Sequence, residues 1–339
     1  MMSIGNTGTL SQGKKPKKVS FIADVLKRLV KEKPMGAIGG VILIVLLFVG
    51  IFADFIAPYG YNDIDLAARL SPPSASHLLG TDNLGRDLLS RIIYGARISM
   101  IIGFGVAFLG TGLATLIGVV SGYFGGVVDF VIQRFVDSMM CLPSLIVVLT
   151  VIAVTGPGMV PIILVLGIDS GVGGRVRVIR SAVVAIKRNV YIEAAQSIGA
   201  TPMKIIWEHI IPNIMAPVIV MFTQSLGAAI MTEASLSFLG FGVPPPAPSW
   251  GSMLSLSGRS YMLIAPWMAF WPGLFLAIVV YGINMLGDAL RDILDPRLRG
   301  GLGSYARRRK TRGLRDMLSW TAGRFNKNQA KRDKSVGGV

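Results

Sequence analysis

The chain has 339 residues, of which 52% are hydrophobic and 15% charged, with a mean hydropathy of +0.61. A water-facing surface usually draws on about 25% charged residues, so an ordinary soluble enzyme, a disordered chain and a disulfide-rich secreted module are excluded, and the single Cys141 excludes an internal disulfide or a cysteine-rich metal site. The net charge of +16 is uneven: residues 1–35 carry +6, residues 289–339 carry +10 and the body between sums to zero, which is the pattern of basic flanks around a membrane-embedded core rather than a nucleic-acid surface.

Residues 1–18 are polar, with Lys14, Lys15, Lys17 and Lys18, and are expected to be unstructured. Phe21, Ile22, Val25, Leu26, Leu29 and Val30 then recur at helical spacing opposite Lys27, Arg28 and Lys31, which predicts an amphipathic helix on the inner membrane surface. A cleaved signal peptide does not fit, because the apolar run starts late and lacks a small-residue cleavage site. A bilayer core takes about 20 apolar helical residues to cross. Residues 36–53 supply the first such run, closed by Asp54 and Pro58, and residues 98–128 a second with no charge in it. A third run goes from 138 to 154, before Gly156-Pro157-Gly158; a weak fourth starts at 159 and is interrupted by Asp169 and a glycine-rich stretch. Residues 209–241 and 260–287 complete the series.

Both tails are basic, so both are expected in the cytoplasm, which requires an even number of crossings and makes the weak fourth segment a span. Residues 57–95, 155–158 and 242–260 (with Arg259 their last charge) then lie outside, and the turn at 122–126 and the basic segment 175–212 inside. The expected fold is all-α and polytopic, with six transmembrane helices. It divides into a tail with an interfacial helix (1–34), a first span (35–57), an external segment (58–97), a core of five spans (98–290) and a basic cytoplasmic tail (291–339), the last read as a contact for anionic lipid headgroups.

Catalytic signatures are missing: there is no HExxH, no GxSxG, and the histidines, His77 and His209, fall on opposite sides of this topology. The run GTLSQGK at 8–14 approaches a phosphate loop, but Lys15 stands where Ser or Thr is needed and no strand precedes it. The internal segment 191–212, YIEAAQSIGATPMKIIWEHIIP, is more informative. Glu193-Ala194-Ala195 favours a helix, Gly199 permits a sharp turn, and Thr201-Pro202 caps a second helix whose apolar face is Met203, Ile205, Ile206, Ile210 and Ile211. Pro212 marks the entry to the fifth span. Such a bend can be a docking knob for another protein or a connector that satisfies only its own backbone.

The segment resembles the EAA loop of ABC-transporter permease subunits, whose pattern is EAA, three residues, Gly, nine residues and I-x-L-P. Glu193, Ala194, Ala195, Gly199 and Pro212 match in register, with His209 in place of Ile and Ile211 in place of Leu. HLLGTDNLGRD at 77–87, EASLSFLG at 233–240, PSWG at 248–251, LGDALRD at 286–292 and Asp295-Pro296-Arg297 are similar to stretches of dipeptide and oligopeptide permeases of the second permease type. The resemblance covers about residues 30–300 and implies a type I ABC importer transmembrane fold.

It further implies a coupling helix seated in a cytoplasmic ATPase, with Ala194, Ala195 and Gly199 giving a close fit, Glu193 a polar contact, and Ile211 and Pro212 completing the loop. The implied partners are a sibling permease subunit, two ATPase subunits that hold ATP and Mg2+, an extracytoplasmic binding protein and membrane lipid. No cofactor or metal belongs to this chain itself, and no nucleic acid is implied. The implied location is a bacterial or archaeal inner membrane, and the implied cargo is di- and oligopeptides, with nickel complexes, glutathione or oligosaccharides as alternatives. Glu233, Asn284 and Asp288 are candidates for the pathway lining. Asp129, Arg134 and Asp137 also qualify, unless they pair with one another. Asp82, Arg86 and Asp87 are candidates either for contact with the binding protein or for holding the external loop together. A stand-alone secondary transporter would need internal repeats, and a membrane hydrolase a nucleophile–base pair; neither is evident.

Overall fold

In this computed structural model residues 21–255 and 260–294 are described, with the side chains of 21–24 outside the description. The polar stretch 1–18, Arg259, Asp295 to Arg297 and the basic tail therefore lie outside the described residues. The helices in chain order are α1 (Phe21–Glu32), α2 (Pro34–Ile51), α3 (Ala53–Ile56), α4 (Leu88–Phe124), α5 (Gly126–Met140), α6 (Ser144–Thr155), α7 (Met159–Val172), α8 (Gly174–Lys187), α9 (Val190–Ser197), α10 (Pro202–Ile205), α11 (Ile211–Phe238), α12 (Trp250–Leu254) and α13 (Trp267–Leu294). A single turn of π-helix, Ile206–Ile210, joins α10 to α11. Among the described residues only an isolated bridge, Thr81 to Asp87, is extended pairing.

Four helices are long and apolar enough to cross a bilayer alone: α2, α4, the continuous run Pro202–Phe238, and α13. Two bent pairs, α5–α6 at 84° and α7–α8 at 46°, are apolar enough to bring the number to as many as six where each pair makes one span. Lys33 Nζ lies 2.5 Å from Asp292 Oδ2, so the start of α2 and the end of α13 share one end of the bundle, as an even number of traverses requires.

Three expected boundaries move. First, α4 starts at Leu88, ten residues before the uncharged run and inside the segment expected to be external. Arg97 can sit in this helix because its Nε donates to Gly50 O at 2.8 Å and its Nη2 to Asp54 Oδ2 at 2.8 Å. Second, the third crossing does not begin at Ser138. Pro143 has no N–H and disfavours helix in the residue before it, so the chain breaks at 141–143 and the apolar run is divided between α5 and α6. Third, residues 175–187 are not loop but helix α8, packed along the C-terminal half of α4. A Cβ added at Gly118 would stand 2.7 Å from Ile179 Cβ, and one at Gly122 2.9 Å from Val183 Cβ. The arginines that suggested a loop are paired across helices, Arg180 with Asp129 and Arg177 with Asp137.

The helices close on small residues, as membrane helices do when lipid supplies no hydrophobic drive between them. A Cβ at Gly39 of α2 would lie 2.1 Å from Gly282 O of α13, so glycine on both sides sets that spacing. Leu29 of α1 is buried against Leu286, Ala289 and Ile293, while Val30 is exposed, so the amphipathic helix docks one face on the end of α13. At the opposite end Trp250 is 1% exposed and its Nε1 donates to Ile92 O at 3.0 Å, which ties the 240–255 segment to α4.

Candidate functional site

The 191–212 segment is built locally. Helix α9 ends in a two-bond terminus: Ala200 N donates to Ala195 O and Gly199 N to Gln196 O, both at 3.0 Å. This closure needs a left-handed residue, and Gly199 has φ +81. Thr201 then caps the next helix, its Oγ1 accepting from Lys204 N at 3.4 Å, with Pro202 in the first turn. These features follow the expectation from sequence.

One departs from it. The second helix is not separate from the fifth span, because the run from Pro202 to Phe238 is continuous. The π turn spans the point where Pro212 lacks a donor: Ile211 N bonds Ile206 O, one residue further back than in an α-helix. At 1.5 Å per residue this rod is about 55 Å long, nearly twice the hydrocarbon thickness.

The bend has two faces. Ile192, Ala195, Ile205, Ile206 and Ile210 are buried in one cluster with Val119 and Tyr123 of α4, Val136 of α5 and Val176, Ile179 and Val183 of α8. Met203, expected on this apolar face, is instead exposed, and Ile211 is half-buried. On the outward face Val190, Tyr191, Met203 and Trp207 are exposed, and Ile198 is 86% exposed. Glu193, Ala194, Gly199 and Pro212 are exposed as well, and a Cβ at Gly199 would meet nothing within 4 Å. The knuckle is thus keyed to three helices on one side and presents apolar side chains and open glycine on the other.

The remaining candidates separate. Glu233 is 1% exposed; Ser237 Oγ donates to its Oε1 at 2.6 Å, and Ser249 Oγ lies 3.0 Å from Ser237 Oγ. It therefore sits in the joint between α11 and α12, not on an open wall. Asn284 and Asp288 are exposed on α13. Asp129 and Asp137 are taken by Arg180 and Arg177, with Arg134 Nη1 3.7 Å from Asp137 Oδ2.

Asp82, Arg86 and Asp87 are 4%, 9% and 3% exposed, too buried to present charge to a binding protein. Arg86 Nε donates to Asp82 Oδ2 at 2.7 Å and Arg91 Nε lies 3.6 Å from the same oxygen, while Asp87 caps α4. Of the two roles weighed for them, the geometry is that of holding the 57–87 loop together. One feature was missed in the sequence: a cavity of about 470 Å³ beside both helix breaks, lined by Asp169 and Arg175. Asp169 was visible as a charge interrupting a span, which is the signal that could have found it.

Known proteins share this sequence over most of its length. Residues 114–300 match the family model described as "Binding-protein-dependent transport system inner membrane component", and residues 20–73 match "N-terminal TM domain of oligopeptide transport permease C". The dipeptide transport system permease protein DppC of Alkalihalophilus pseudofirmus is 38% identical, over 83% of this chain and 91% of its own. The oligopeptide transport system permease protein OppC of Bacillus subtilis is 37% identical, over 84% and 92%. The glutathione transport system permease protein GsiD of Pectobacterium atrosepticum is 38% identical, over 77% and 86%.

Proposed function

We propose, because the chain belongs to the family of binding-protein-dependent transport system inner membrane components, that it is the permease subunit of an ATP-driven importer of di- and oligopeptides. In this reading it forms half of a translocation pathway with a sibling permease subunit, and the exposed Asn284 and Asp288 of α13 belong to the surface turned toward that subunit. A binding protein delivers cargo to the end of the bundle that carries Trp250. Two ATPase subunits, which hold ATP and Mg2+, grip the knuckle at 191–212. The start of α2 and the end of α13 then lie on the cytoplasmic side, where their basic flanks belong.

The observation that carries the proposal is the continuity of the knuckle with α11. The helix that leaves the turn at Gly199 runs from Pro202 without a gap to Phe238 and carries Ser225 and Thr232. No ATP chemistry is asked of this chain. Peptide and glutathione cargo are the two readings the relatives favour, at nearly equal identity.

The test is Gly199→Asp. Aspartate tolerates the left-handed region better than most residues, and nothing crowds the position, so the protein should still insert. ATPase recovered by co-purification should fall at least tenfold, because a charged side chain now stands on the docking face. Unchanged co-purification together with unchanged uptake would remove the coupling role, and with it the cytoplasmic placement of the knuckle.

A further inference from the structure

Both bent spans break beside the same cavity. Met140 and Leu142 at the α5–α6 break line it, as does Gly173 at the α7–α8 break. Its far wall is α11, through Ser225 and Thr232. Its volume of about 470 Å³ is within the range of small-ligand sites, roughly 300–1,000 Å³.

Two charges of opposite sign line it, one on each side of the break. Asp169 lies in the last turn of α7 and Arg175 in the first turn of α8. Ser144 Oγ donates to Asp169 Oδ2 at 2.5 Å, and Arg175 Nη1 donates to Ser170 O at 3.3 Å. Among the described residues neither forms an ion pair, in contrast to Asp129 and Asp137 lower in the bundle. Charge inside a span is costly and is kept where it faces protein or water with a use for it. The backbone adds to each sign. The carbonyl end of α7 favours a cation next to Asp169, and the amide end of α8 favours an anion next to Arg175.

We propose that this cavity is the substrate site of the subunit and that it reads the two ends of a zwitterionic peptide, Asp169 taking the α-ammonium and Arg175 the α-carboxylate. The inference rests on the peptide reading above and assigns its specificity to two residues. The wall formed by α11 belongs to the continuous helix Pro202–Phe238, which starts three residues after the turn at Gly199. The sibling subunit supplies the side that this chain leaves open.

The test uses the complete transporter (both permease subunits, ATPases and binding protein) in vesicles, with trialanine, N-acetyltrialanine and trialanine amide at concentrations that saturate the binding protein. Asp169→Asn should cut trialanine uptake at least tenfold and raise the ratio of N-acetylated to free peptide by a similar factor. Arg175→Gln should do the same to the ratio of amide to free peptide. Ratios equal to those of the unsubstituted transporter would overturn the inference while leaving the peptide reading intact. Absence of any ATP-dependent trialanine uptake by the unsubstituted transporter would overturn both.

A second arm does not depend on removing charge. In a Cys141→Ser background, Thr232→Cys on the α11 wall should be labelled by a methanethiosulfonate reagent at least threefold more slowly when trialanine is present. Equal labelling rates would overturn the site assignment even if the charge variants failed to assemble.

Discussion

Asp87 shows how much one side chain can fix. Ser90 N and Ser90 Oγ donate to its Oδ2 at 2.8 and 2.7 Å, and His77 Nδ1 lies 3.0 Å from its Oδ1. It therefore starts α4 and pins the external loop to that start. Loss of a helix cap costs about 1 kcal/mol, and orphaning buried partners adds roughly 1–3 kcal/mol. Asp87→Ala should lower the thermal unfolding midpoint of the purified protein by several degrees; an unchanged midpoint would show that the loop is held by other contacts.

The local half of this residue-scale chemistry was legible in the sequence. Gly199, Thr201 and Pro202 act through backbone geometry within a few positions of themselves, so spacing alone places them. Asp82, Arg86 and Arg91 were not legible in the same way, because whether a charge faces a partner or a neighbour is decided by burial. The carboxylate of Glu233 illustrates the point: its position near the end of a span suggested a pathway, but the α12 segment folds over it and Ser249 joins its network.

At the scale of elements the uncharged runs located the apolar helices, the basic tails supplied the even count, and proline and glycine gave most of the ends. They did not reveal that 174–187 is a helix, α8, packed on α4. Four charges between 175 and 187 read as loop because the carboxylate partners of two of them, Asp137 for Arg177 and Asp129 for Arg180, lie some forty to fifty positions away on α5. The α2–α13 contact was also silent, since glycine at 36, 39 and 282 is informative only once the two helices are known to face each other. That contact yields a sharp contrast. At Gly39 a side chain meets the backbone of Gly282, whereas a Cβ at Gly40 would find only Leu286 Cδ1 and Leu29 Cδ2, at 3.7 and 4.0 Å. Gly39→Val should therefore destabilise the protein by about 2 kcal/mol or more, as overpacking does, while Gly40→Ala is neutral or slightly stabilising. Similar midpoints for the two variants in thermal unfolding would contradict the packing described.

For the whole molecule, the proposed function reads the arrangement as a lever. The knuckle rests on α4, α5 and α8, the helix that leaves it passes the cavity beside the two helix breaks, and it ends under the segment anchored by Trp250. Force applied at one end has a continuous helical path to the site and beyond it. The 46° bend between α7 and α8 beside that path falls at Gly173, one of the residue types at which helices kink.

The central claim is that transport depends on force delivered to the knuckle from outside this chain. Peptide uptake by vesicles measures it most directly, with the permease pair compared with and without its ATPases and ATP. The account predicts uptake only with ATPases and ATP together, and its loss when Gly199→Asp is introduced. Uptake at the full rate by the permease alone, without nucleotide, would contradict it.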